Sequence, residues 1–172
     1  WISFLQLNKV VSNGKEIYAS HLKNILPILK EKPIRTIKKA IECRYNAVLI
    51  DNRSCFEIEV VLLNLLHFTN EDIGIQIFYN NENEKYILDL INKYNLYNIA
   101  LEKITSFSFG NQYQEFLFSN DFYDKVLGEK ILLFQIDSLL LKPFDMKYFE
   151  YDWIGALWNK PTLSQPRLLP LF

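Results

Sequence analysis

Three short apolar runs, each closed by a polar residue, limit what this chain can fold into more than any other feature. They are NAVLID (46–51), IQIFYN (75–80) and KILLFQID (130–137). Runs of this length, apolar at nearly every position, read as strands covered on both faces rather than strands with one face in water. Between the first two lies FEIEVVLLNLLHF (56–68), which has helical length and a strongly apolar body; Phe56, Val60, Leu63 and His67 share one side of it. ENEKYILDLINKY (82–94) is amphipathic, with Tyr86, Leu90 and Tyr94 at helical spacing and early glutamates that favour a helix N-terminus. LYNIALEKI (96–104) fits a third strand, residues 111–127 fit two helical pieces broken near Ser119 and Asn120, and Lys130 to Ile136 makes the best strand of the set. DMKYF suggests a helical turn after Pro143, and DWIGALW a further strand.

Strands alternating with helices imply right-handed crossovers, so the expected class is α/β: a mainly parallel sheet with helices on both faces. Ligands of such sheets bind outside the carboxyl ends of the strands. That rule selects Asp51, Asn52, Arg53, Tyr79, Asn80, Gln135 and Asp137. Side chains alternate along a strand, so Ile131, Leu133, Gln135 and Asp137 share one face, and Leu132, Phe134 and Ile136 the other. A carboxylate at such a mouth is costly to desolvate unless it is paired or binds a cation. Mg²⁺ and Mn²⁺ suit it, since hard cations prefer oxygen and often combine one or two carboxylates with a substrate's phosphates. Gln135 would hydrogen-bond ribose, phosphate or a metal-bound water. Two plainer roles compete: Asp137 and Ser138 capping a turn, and Arg53 pairing Glu57 at i+4 instead of a diphosphate.

The remaining sequence mostly excludes. With 172 residues the chain has enough length for one sizeable core. Nineteen basic against 20 acidic residues give no reason to expect nucleic acid. Five glycines form neither G-x-G-x-x-G nor a P-loop, and H-E-x-x-H and G-x-S-x-G do not occur. Cys43 and Cys55 match no zinc spacing and make no disulfide framework, and His67 suits a packed position at a helix end. No apolar run has bilayer length and no signal peptide is evident, so a cytoplasmic location is expected. Because the chain begins at Trp1, it reads as a piece of something longer. Residues 1–45 read as a helical, basic extension interrupted by Pro27 and Pro33. Seven basic residues against two acidic ones between Lys23 and Arg44 leave +5 there, more simply a solvated helix face than a membrane or anion contact. Residues 46–160 read as the ligand-binding domain and 161–172 as a proline-rich tail.

Five segments occur in order: AVLIDNR (47–53), LLNLLHF (62–68), IQIFYNNENEKYI (75–87), ILLFQIDSLLL (131–141) and YDWIGALW (151–158). Together they resemble an uncharacterised glycosyltransferase-like domain family of unknown function, found in giant viruses, fungi and bacteria. The likeness spans residues 47–158 and rests most on pairing FQIDSLLL with YDWIGALW. It implies a GT-A-like sandwich that binds a nucleotide-sugar, with a strand-end D-x-D or reduced version of it meeting a divalent ion and the diphosphate. Carried onto this sequence, Asp137 takes the metal position for Mn²⁺ or Mg²⁺, and Gln135 the polar position before it. Asp51 and Arg53 lie beside the nucleotide, and Tyr113 lines the donor pocket. Gln112 and Gln114 stand where asparagines are expected, and Asp51 is shorter than the usual glutamate. One remaining carboxylate implies modest ion affinity without the donor's diphosphate. The family's second half, with a Gly-Asn-Gly-Gly-type segment, does not follow YDWIGALW here, so the domain is expected to be incomplete at its C-terminus. No catalytic base is assigned, and Asp152 beside Trp153 is equally a structural residue. The implied function is sugar transfer to an unknown acceptor (a glycan, protein or small molecule). The alternative is an inactive or truncated GT-A-like module serving in binding or assembly.

Overall fold

Four strands make one all-parallel sheet in the order β3-β2-β1-β4 in a computed structural model that describes residues 13–105, 111–152 and 154. The strands are β1 (Tyr45–Ile50), β2 (Ile73–Tyr79), β3 (Ala100–Lys103) and β4 (Lys130–Phe134). The helices are α1 (Asn13–Glu31), α2 (Phe56–Phe68), α3 (Glu84–Tyr94), α4 (Asn111–Leu117) and α5 (Asn120–Lys125). The α/β class and parallel pairing expected from the sequence are present. DWIGALW lies largely, and the tail 161–172 wholly, outside the described residues.

β1 and β2 are apolar because both of their faces are covered, whereas β4, at the sheet's edge, is only partly covered and leaves Leu133 exposed, contrary to the sequence expectation. Ala47, Leu49, Ile73, Ile75 and Ile77 point into one core beneath α2 and α3, where Ile58, Leu62, Ile87 and Leu90 meet them. Val48, Ile50 and Phe78 point the other way, against Tyr113 of α4 and Phe122 of α5. Gln76, on that second face, is buried and satisfied at both ends: its amide donates to the Lys125 carbonyl at 2.9 Å, and its oxygen accepts from Leu127 N at 2.9 Å.

α2 is buried from Ile58 to Leu66. α1 closes its outer side, with Leu22 and Leu29 packed on Val60 and Leu63. A helix covered by a sheet on one side and a helix on the other needs no polar stripe, which explains the apolar body of residues 56–68. Glu59, buried in this layer, is held by Lys30, Lys93 and the Tyr94 hydroxyl.

Pro27 does not interrupt α1, contrary to the sequence expectation; the helix continues to Glu31. A mid-helix proline costs about 3 kcal/mol. Burial of Leu22 and Leu29 on either side of it contributes about 1.5–3 kcal/mol each and keeps both halves in line. Pro33 does lie just past the helix end. Several of the basic residues here are engaged within the chain: Arg35 donates to Thr69 Oγ1 and to the Ile73 carbonyl at 2.7 Å, Lys38 pairs with Asp72, and Arg44 with Glu129. Among the described residues, no helix is long and apolar enough to cross a membrane.

Two glycines let the strands approach the buried Asn46. A Cβ on Gly74 would lie 2.2 Å from Asn46 Oδ1 and 2.9 Å from Ala40 Cα. One on Gly128, whose φ is +91°, would lie 2.6 Å from Asn46 Nδ2. That amide nitrogen donates to the carbonyls of Ala40 and Cys43, fastening a 3-10 turn (Ala40–Glu42) under the sheet.

Candidate functional site

The strand order reverses between β1 and β4. From β1 the chain steps outward through β2 to β3, with α2 and α3 on one face. It then crosses back through α4 and α5 on the other face to set β4 against the free side of β1. Such a reversal is where open parallel sheets bind ligands, at the carboxyl ends of the strands. Asp51 and Arg53 follow β1 there, Gln135 and Asp137 follow β4, and Tyr113 reaches in from α4.

Asp51 continues the β1 ladder, its N–H donating to the Phe78 carbonyl, and its side chain is only 3% exposed. Arg53 folds back over it: Nη2 meets Oδ2 at 2.6 Å, Nε meets Oδ1 at 3.0 Å, and the Arg53 N–H donates to Oδ1 at 2.8 Å. The Arg53 partner is therefore Asp51, two residues back, and not Glu57. Extended backbone at Cys55 delays the helix and leaves room for this fold-back. The carboxylate holds the guanidinium above its ordinary pKa, with Asp137 adding to the effect. Asn83 ties the neighbouring loop in, donating to the Asp51 carbonyl at 2.8 Å and accepting from Asn80 N at 3.0 Å.

β4 ends at Phe134, so Gln135 and Asp137 are not successive outward residues of one strand as expected. Ser138 is the reason. Its hydroxyl accepts from the Gln135 N–H at 2.9 Å and donates to the Gln135 carbonyl at 2.6 Å, while its own N–H donates to the same carbonyl at 3.0 Å. Gln135's main-chain groups are thus used in a four-residue turn instead of the ladder. The turn separates the two side chains. The Gln135 amide donates to the Tyr113 hydroxyl at 3.1 Å, whereas the Asp137 carboxylate is exposed and makes no hydrogen bond or ion pair with a described residue. Burial raises the Tyr113 phenol, the Gln135 contact opposes this, and the charges of Asp51 and Asp137 add to the rise. All five predicted residues therefore share one electrostatic neighbourhood.

Residues 96–168 match the family model described as Protein of unknown function (DUF5672). No curated protein and no solved structure matches the chain. The DUF5672 match takes in Tyr113 and the whole turn from Gln135 to Ser138, and leaves Asp51 and Arg53 outside it.

Two residues before the DUF5672 match, both missed in the sequence, fasten its turn. The Tyr18 hydroxyl of α1 donates to the Ile136 carbonyl at 2.9 Å. Asn64 of α2 grips Leu140 on both sides, accepting from its N–H at 2.8 Å and donating to its carbonyl at 3.0 Å. Asn64 carried a usable signal: a polar side chain inside LLNLLHF needs a partner if it is buried. Tyr18 carried only its place on the apolar stripe with Leu22 and Leu29. Burial, then the charges of Asp137 and Glu57, push its phenol up to about 12, so it remains a donor through neutral pH. His67, in contrast, sits beside Lys32, with Nζ 3.0 Å from Nε2, and takes no part in the site.

Among the described residues there is no cluster of three or more His, Cys, Asp or Glu able to enclose a metal. With Asp51 occupied by Arg53, Asp137 is the carboxylate available to an ion. That donor set fits Mg²⁺ or Mn²⁺ arriving with phosphate oxygens and does not fit a cage made by protein alone. Two surface hollows, of about 360 and 260 Å³, are lined mainly by segments that precede the strands, at their amino ends, and by none of the five residues.

Proposed function

We propose that this chain is a glycosyltransferase-like, GT-A-like donor-binding domain that takes a nucleotide-sugar through a divalent ion at Asp137. The observation that carries the reading is an exposed, unengaged carboxylate on a fastened turn at the strand-order reversal, close to a fixed arginine and a buried tyrosine. Asp51 would keep Arg53 aimed at the diphosphate, and Asp137 would hold the ion. The Gln135 amide and Tyr113 hydroxyl would supply polar contacts to ribose or phosphate. A bound Mn²⁺ or Mg²⁺ supplies neutralisation of the charge that builds on a leaving diphosphate. The acceptor is an unidentified hydroxyl or water, and no described residue is assigned as base.

A second reading, an inactive module that binds a donor without transferring its sugar, is favoured by the commitment of Asp51 to Arg53, which leaves a single carboxylate for the ion. Thermal unfolding with UDP or GDP, with and without Mn²⁺, tests what the two readings share. A ligand at a hundred times its Kd stabilises the fold by about 2.7 kcal/mol. The ion-dependent part should vanish in Asp137→Ala while the variant stays folded. Absence of any ion-dependent shift across a panel of nucleoside diphosphates and nucleotide-sugars would sink the proposal. If binding is present, release of free sugar or a glycoside separates enzyme from module.

A further inference from the structure

We infer that Tyr18 of α1 is a positioning residue for the ion-holding carboxylate, so that the helix before the sheet forms part of the site. The inference rests on the reading of Asp137 given above and adds a residue to it.

The carbonyl that Tyr18 engages belongs to Ile136, so the bond acts on the peptide that joins Ile136 to Asp137. The tilt of that peptide sets the direction in which the Asp137 side chain leaves the backbone. Ser138 secures the start of the turn through both main-chain groups of Gln135, and Asn64 secures the chain beyond it at Leu140. Neither reaches the Ile136–Asp137 peptide. Its one hydrogen bond from a side chain, among the described residues, comes from Tyr18.

The support behind that hydroxyl is stiff. Tyr18 packs in the α1–α2 layer, Leu22 one turn on is wholly buried, and Lys30 at the far end pairs with Glu59 of α2. A donor carried on a docked helix can fix a turn in a way that a solvent molecule cannot, because its position is set before any ligand arrives. Removing the oxygen alone leaves the ring's packing in place and returns the Ile136 carbonyl to water at a partly exposed position.

The test uses the full chain and Tyr18→Phe. Mn²⁺ affinity is measured by electron paramagnetic resonance, alone and with whichever of UDP or GDP stabilises the wild type; nucleotide affinity without metal is measured by calorimetry. Groups that orient a metal ligand typically alter metal affinity by 10–100-fold, so Mn²⁺ binding with nucleotide should weaken about tenfold. Metal-free nucleotide binding should stay within twofold of wild type, a split that a general loss of stability would not produce. In the free protein the Asp137 amide nitrogen resonance should move, since it belongs to the engaged peptide. Tyr18→Leu gives a second variant if the phenylalanine form fails to fold. Wild-type Mn²⁺ affinity in a folded variant, with Asp137→Ala still abolishing binding, overturns this inference and spares the functional proposal. Failure of the wild type to bind Mn²⁺ with any nucleotide removes both.

Discussion

Removing the exposed partner of the Asp51–Arg53 pair should cost more than altering the buried one. The Asp51 side chain is 3% exposed and that of Arg53 47% exposed. Arg53→Ala strands a sealed carboxylate with one main-chain N–H still bonded to it. Breaking a buried pair from one side typically costs 3–5 kcal/mol, and the remaining bond keeps this case near the lower end, about 3 kcal/mol. Asp51→Asn keeps one oxygen for the Arg53 N–H and Nε–H, turning that guanidinium contact from charged to neutral, but sets its amide NH2, a donor, where Nη2 had an acceptor. One weakened and one lost bond cost about 1 kcal/mol each, and the half-exposed guanidinium recovers some of this from water, leaving about 2 kcal/mol at most. For a chain of this size 1 kcal/mol moves the melting temperature by about 2–4 °C, so Arg53→Ala should melt several degrees below Asp51→Asn. Urea and thermal melts at neutral pH measure both, and the double variant should recover stability over Arg53→Ala alone. An Asp51→Asn protein as unstable as Arg53→Ala, or more so, would refute the reasoning.

Gly74→Ala should destabilise by about 2–4 kcal/mol, because its Cβ needs space held by Asn46 Oδ1 and the Ala40 backbone; a urea midpoint unchanged from wild type contradicts the close packing described. At Glu59, burial raises the carboxyl, but hydrogen bonds from Lys93, Tyr94 and Lys30 outweigh it and hold the group below its ordinary 4.5. Its contribution is therefore complete above that value and is lost as pH falls through the lower folded-state value. Stability measured from pH 6 to pH 3 should fall less steeply in Glu59→Gln than in wild type, and parallel curves would rule the network out as a source of acid sensitivity.

β1, α2, β2 and α3 were legible because apolar runs of strand length alternate with 3.6-residue patterns over whole elements. Two misreadings have one cause, a distant or side-chain contact overruling a local rule. Pro27 signals a break, yet α2 holds both halves of α1 on one axis. KILLFQI looks like seven residues of strand, yet the Ser138 hydroxyl takes Gln135 out of the ladder after five. The Asp51–Arg53 clasp was obscured because i+4 reasoning assumes helix where the backbone is still extended. Asp137 is a candidate through its place at a strand end and the family resemblance together. Tyr18 was not found, since nothing local to α1 points to residue 136.

The ties around the 135–138 turn join positions 118, 76 and 22 residues apart in the chain. No contiguous excerpt shorter than most of the molecule holds all of them. The stretch that matches DUF5672 carries the turn with its Ser138 and Tyr113 ties but neither Tyr18 nor Asn64, so expressed alone it would present the acidic residue on a turn without those two fastenings. Under the proposed function, ligand capture is linked to completion of the whole fold, and a half-made chain would have little means of taking up its ligand early.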